Sequence, residues 1–259
     1  MEPVVDERLD LLSAAAQLGV HYQTAYRWVR SGRLRAEMVD GRYFVSAAEI
    51  VKLDKLRRTP KTLPAPRATR LDHAAERMYE ALVAGDEAAA TKAATRLASE
   101  GAPTVDLIGQ VLVPPLHRIG QLWNDGELSI WTEHRATAIV ERILGELAPN
   151  PRGRRRGTAV VTALSGDRHS LPTTMAAVAL RSDNWQVHHL STDLPPDQLL
   201  DFCASHEIAL AVITVTHPDV QPAADATAVK LRAAGTPTIV GGSGQTLHDL
   251  LGQARSATA

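Results

Sequence analysis

The chain has 259 residues, a formal net charge of −1 and 44% hydrophobic residues, enough for two or three small domains with at least one sizeable core. A single cysteine, Cys203, excludes a disulfide framework and a thiolate metal site. The acidic residues 1–10 lack the basic start and apolar run of a secretory signal, and the longest apolar stretch, 208–215, is too short to span a bilayer; a cytoplasmic protein is expected.

The near-neutral total hides a segregated charge. Between His21 and Lys61 ten Lys and Arg face four Asp and Glu, so the rest of the chain is acidic on balance. A basic segment in an acidic protein points to a local nucleic-acid surface or to an ordinary solvated face. Composition divides the chain into 1–57, a proline-rich basic linker at 58–70, an Ala-rich helical stretch at 71–148, a second linker at 149–157, and a segment at 157–259 that alternates short β-rich runs with helices.

In the first segment Ser13 is positioned to cap a short helix over 14–18, and a second helix over 22–30 ends at Ser31-Gly32. Strands over 34–39 and 42–45 flank Asp40-Gly41, a strong hairpin signal, and Ser46-Ala-Ala-Glu49 opens a further helix as a capping box. Helix, turn, helix, hairpin and helix in that order resemble the winged DNA-binding domain of the MerR and excisionase group, with His21 to Arg30 as the recognition helix. Ala25, Trp28 and Val29 are expected in the core. The resemblance assigns Gln23, Thr24, Tyr26, Arg27 and Arg30 to DNA, with Arg42 and Tyr43 of the hairpin reaching phosphate or minor groove. The alternative is a protein-interaction winged helix. Such a small domain needs a second copy to hold duplex DNA, so a homo-oligomer, dimer or tetramer, is expected.

The helical stretch has breaks at Gly101-Ala-Pro103 and Asn124-Asp-Gly126 and suits a four-helix-type bundle. Trp123 is followed, after nine residues, by Glu133-His134. This spacing, and Pro114-Pro-Leu-His-Arg-Ile-Gly120 before it, resembles the bundles that precede cobalamin domains in B12-dependent light-sensing repressors of the CarH type. The resemblance implies that Trp123, Glu133 and His134 cap the upper cobalt face, where a 5′-deoxyadenosyl group sits. An aromatic plane and polar groups are what such a cap requires once water is excluded. One position departs: the light-sensing repressors have a histidine after the Trp, and here it is Asn124, a poor cobalt ligand. His117, two turns earlier, is the remaining imidazole nearby.

In the last segment strands are expected at 158–164, 186–190, 209–215 and 237–240, forming a parallel, Rossmann-like sheet. After the first comes Asp167-Arg-His169-Ser170, which resembles the Asp-x-His-x-x-Gly signature of cobalamin domains, with Pro172 at the final Gly. A neutral imidazole binds cobalt while a carboxylate two residues earlier fixes the tautomer and raises basicity. The resemblance makes His169 the lower axial cobalt ligand and adds Thr214, Thr216, Gly241 and Gly242, at the ends of the third and fourth strands, around the nucleotide tail. His188, His189, His206, His217 and His248 are expected as surface or loop residues.

The expected fold class is multidomain α and α/β: winged helix-turn-helix, helix bundle, Rossmann-like cobalamin-binding domain. The expected function is a cobalamin-binding, light-responsive transcription regulator using adenosylcobalamin. The alternatives are a corrinoid carrier for methyl transfer and a photosensor with an added bilin chromophore. No nucleophile or phosphate-loop constellation is present, and no enzyme activity is expected.

Overall fold

The computed structural model describes residues 8–58, 70–147, 153–242 and 244–257. Residues 59–69 of the expected linker at 58–70, residues 149–152 of the one at 149–157, and Ser243 fall outside them.

The chain opens with β1 (Arg8–Asp10), α1 (Leu11–Gln17), α2 (Tyr22–Arg30), β2 (Glu37–Val39), β3 (Arg42–Ser46) and α3 (Ala47–Arg58). The first helix begins earlier than the sequence suggests because Asp10, not Ser13, is its cap: the Ser13 amide donates to Asp10 Oδ1 at 2.7 Å. The second helix has its expected bounds. Strand β1 was not anticipated, since three residues hold no readable alternation; it pairs antiparallel with β3, giving the order β1-β3-β2. The hairpin turns at Asp40 (φ 48°) and Gly41 (φ 76°), a left-handed pair that an Asp-Gly step tolerates. The Glu49 amide donates to Ser46 Oγ at 3.3 Å, so the expected cap of α3 forms. Leu11, Ala14, Leu18, Ala25, Trp28, Leu34, Val45 and Ile50 make one buried cluster beneath these elements.

Six helical pieces follow: α4 (Arg70–Ala84), α5 (Glu87–Ser99), α6 (Thr104–Asp106), a π-helical stretch (Leu107–Leu112), α7 (Val113–Asp125) and α8 (Ile130–Leu147). Breaks fall at Gly85-Asp86, which was not anticipated, and, as the turn residues suggested, around Gly101-Ala-Pro103 and after Asp125. Arg142 pairs with Glu87 at 2.6 Å, and Arg135 Nη2 donates to the Val83 carbonyl at 2.8 Å, tying α8 to the α4–α5 pair.

The remainder alternates β4 (Thr158–Thr162), α9 (Ser170–Ser182), β5 (Gln186–His189), α10 (Pro196–Ser205), β6 (Leu210–Thr214), α11 (Gln221–Ala233), β7 (Thr238–Gly241) and α12 (Leu247–Ala257). All four strands are parallel, in the order β5-β4-β6-β7. Ala159, Val161 and Val212 meet α9 and α12 through Ala176, Leu180, Leu250 and Leu251. Val160, Ala211 and Ile213 meet α10 and α11 through Leu199, Ala224, Ala228 and Leu231. A sheet covered on both faces explains why β4 and β6 read as apolar runs without alternation.

These elements form two compact units. One joins the N-terminal elements to Leu116–His134; the other holds Arg70–Pro115 with Arg135–Ala259. Leu116–His134 thus belongs to the N-terminal unit, while the rest of the expected helical stretch 71–148 belongs to the other.

Trp185 is fully buried in the sheet core, and its indole Nε1 has no hydrogen-bond partner among the described residues. Trp185→Ala is expected to cost about 3–5 kcal/mol in urea unfolding, the range for emptying a large aromatic site. Trp185→Phe should cost less than half as much, because it also removes a buried, unpaired donor.

Candidate functional site

Strand β4 runs into a loop, Ser165-Gly-Asp-Arg, that delivers Asp167 and then His169 at the start of α9. Asp167 is fully buried and His169 side-chain exposure is 65%. One carboxylate oxygen, Oδ1, accepts from the His169 amide at 3.2 Å, and lies 3.0 Å from His169 Nδ1 and 2.5 Å from Thr216 Oγ1. The other, Oδ2, accepts from the Thr216 amide at 2.6 Å. Thr216 Oγ1 also sits 2.7 Å from His169 Nδ1. The first loop and the end of β6 therefore converge on one carboxylate.

Burial alone would raise the Asp167 pKa, but the hydroxyl and amide of Thr216 and the ring and amide of His169 outweigh it, leaving about 2. A carboxylate held anionic beside Nδ1 favours the tautomer with hydrogen on Nδ1, so Nε2 keeps its lone pair and points away from Asp167. The loop is braced from the far side by Asp193, whose Oδ1 accepts from the Gly166 amide at 2.8 Å and whose Oδ2 pairs with Arg168 at 3.3 Å. Asp193 carries no local motif, and only the fold places it here.

A cavity of about 500 Å³ opens beside this group, lined by Val215, Thr216, His217, Pro218, Gln221, Val240, Gly242 and Gln245. A Cβ on Gly242 would lie 3.4 Å from the Val215 carbonyl and project toward Gln221, so Gly keeps the cavity floor open. Gly242 and Thr216, two of the residues expected around the nucleotide tail, line this cavity, and Gly241 precedes Gly242 in the chain. Thr214 does not: it is buried in the sheet, with its hydroxyl 3.4 Å from the Thr162 carbonyl. Ser170 is also diverted, donating its hydroxyl to Glu141. His217, expected only as a surface or loop residue, and Gln221 and Gln245 were not singled out, because polar residues on separate loops and a helix start share no spacing.

In the other unit, Trp123 lies near the end of α7 and Glu133 and His134 near the start of α8. Glu133 Oε2 is 2.8 Å from His134 Nδ1, and His134 is mostly exposed. The guanidinium of Arg27 lies over the Trp123 ring, 4.1 Å from its centroid. Among the expected DNA contacts, Gln23, Tyr26, Arg30 and Arg42 are exposed. Tyr43 is partly buried, edge-on to Tyr26 with centroids 6.0 Å apart. Thr24 is buried, at 6% exposure, because its face of α2 turns toward Gly126; the assignment to DNA is withdrawn. Arg27 is likewise committed to Trp123 rather than to solvent.

Residues 13–53 match the family described as a helix-turn-helix domain, and residues 74–148 the family described as a B12 binding domain. The chain thus carries a helix-turn-helix domain and a B12-binding domain. No curated protein matches the sequence. In fold it is similar to the monomethylamine corrinoid protein of Methanosarcina barkeri, at 17% identity and a TM-score of 0.56 over 72% of this chain and 95% of that one. A cobalamin-binding protein of Desulfitobacterium hafniense aligns over 71% of this chain and 89% of its own, with 17% identity and a TM-score of 0.36. No helix among the described residues is long and apolar enough to cross a membrane.

Thr216→Val is expected to raise the Asp167 pKa from about 2 toward the ordinary 3.8, by removing one donor while leaving the amide. A depressed folded-state pKa contributes stability above the unfolded value that is lost as pH falls through the folded one. The acid-unfolding midpoint of the variant should therefore move to higher pH, and a carboxyl titration followed by NMR checks the cause.

Proposed function

We propose that the chain is a corrinoid-responsive transcription regulator in which His169 is the lower axial ligand of cobalt. The observation that carries the reading is the Asp167–His169–Thr216 group: an exposed imidazole with its tautomer set by a buried carboxylate, beside a cavity at the carboxyl ends of parallel strands. The donor set suits a cobalt already held in a macrocycle, which asks for one protein nitrogen. The cavity, floored by Gly242, is of a size and place to take the displaced nucleotide tail.

In this reading the sheet domain is Rossmann-like, and Asp167 holds the His169 ring while Thr216 holds Asp167. Trp123, Glu133 and His134 contact the group on the upper cobalt face, adenosyl in the first instance. The photolabile cobalt–carbon bond of adenosylcobalamin supplies light sensitivity when that cofactor is bound. The N-terminal elements act as a winged helix-turn-helix of MerR type, with Gln23, Tyr26, Arg30 and Arg42 on duplex DNA and two or four copies of the chain acting together. A bilin as an additional chromophore would show itself as a separate long-wavelength band.

The second reading is a corrinoid carrier for methyl transfer. Likeness in fold to the monomethylamine corrinoid protein favours it, and it leaves the helix-turn-helix domain without a role.

Purified protein loaded with adenosylcobalamin is expected to show a corrinoid spectrum that changes under green light, with a matching change in DNA affinity. Absence of any bound corrinoid would sink the proposal; a spectrum that is light-stable with transferable methyl groups would select the carrier. Asp167→Asn should weaken corrinoid binding by about 10–100-fold, as loss of a ligand-orienting partner does. Arg30→Ala or Arg42→Ala should each lower the salt dependence of DNA binding by about one unit of slope, measured by titration at several ionic strengths.

A further inference from the structure

The segment from Trp123 to Gly126 belongs to the same compact unit as the helix-turn-helix elements, and its contacts with them are specific. Arg27 stacks on the Trp123 ring at 4.1 Å. Trp28 Nε1 donates to the Asn124 carbonyl at 2.9 Å. Arg33 pairs with the Asp125 carboxylate, and both are mostly buried. Gly126, at φ 81°, comes so close that a Cβ there would lie 2.8 Å from Val20 Cγ1 and 3.4 Å from Thr24 Cγ2. Four consecutive residues thus engage one flank of α2 and the loops before and after it.

The chemistry offered to the two arginines is that of a nucleic acid in miniature. An aromatic face takes one guanidinium and a carboxylate takes the other, as a base and a phosphate do. The substitution is imperfect. Arg27 Nε is buried without a hydrogen-bond partner among the described residues, so its docked state is the less satisfied of the two available to it. Meanwhile Gln23, Tyr26, Arg30 and Arg42 stay exposed.

We propose that residues 123–126 are an intramolecular competitor of DNA: they hold Arg27 and Arg33 off the phosphate backbone, and their release adds these two contacts to those made by the exposed face. Arg33 thereby becomes a DNA-contacting residue. The inference rests on the DNA-binding reading above and is independent of whether a corrinoid binds.

The full-length chain and its variants are titrated against a fluorescein-labelled 40-base-pair duplex of random sequence, by anisotropy at several salt concentrations. Sequence-independent binding reports phosphate contacts, with a salt slope of about 0.9 per contact. Asp125→Asn frees Arg33 and is expected to bind roughly five- to tenfold more tightly at about 0.1 M salt, with a slope steeper by about one. Gly126→Ala, which pushes the segment off Val20, is expected to free both arginines and steepen the slope by about two. Adding Arg33→Ala to Asp125→Asn should return affinity and slope to those of the starting protein. Asp125→Asn keeps size and polarity, so it remains informative should Gly126→Ala fold poorly. Unchanged or weaker binding by Asp125→Asn, while the starting protein binds the duplex, overturns the competitor. Absence of duplex binding by every form overturns the DNA reading with it.

Discussion

Asp167 sits fully buried and stays charged, which is possible because both backbone and side chain of two residues far apart in sequence point at its two oxygens. A buried carboxylate without such partners would take up a proton or be excluded from the core. With them, it fastens the loop after β4 to the end of β6 and sets the orientation of the His169 ring. Everything proposed for the lower ligand depends on this: the free nitrogen, its tautomer and its place beside the cavity all follow from where that one charge is held.

The second unit of the protein is governed by a different economy of contacts. Trp28 is the central side chain of the helix-turn-helix core, yet its indole N–H reaches outside that core to the Asn124 carbonyl. Arg27 and Arg33 on either side reach to Trp123 and Asp125. All of these contacts lie within one compact unit of the protein.

Legibility followed the range of the interactions. The bounds of α2, the Asp40-Gly41 turn, the Ser46–Glu49 cap and the four parallel strands were readable because each depends on residues within one turn or one strand. Strand β1 was not, since three residues are extended only because β3 is there to pair with them. The cap of α1 was misplaced for a related reason: Asp10 and Ser13 are both good caps by type, and the register of β1 decides between them. At the candidate site the Asp-x-His spacing pointed to two side chains that the structure brings within 3.0 Å. Thr214 and Thr216 were indistinguishable in sequence; two residues further along a strand end separates a hydroxyl in the sheet from one on the carboxylate.

The amino-acid sequence by itself determined the order of segments, a basic helix-turn-helix region ahead of an Ala-rich helical region and a parallel sheet, because composition and periodicity are local properties. It also determined Asp167-Arg-His169, whose spacing alone brings a carboxylate to an imidazole. Only the tertiary structure decided which residues share an environment: Thr216 and Asp193 around the loop, and residues 123–126 against α2. Those are contacts across 49, 27 and 96 positions of chain. Side chains brought together over such separations meet through the packing of whole elements, and no spacing rule along the chain encodes them.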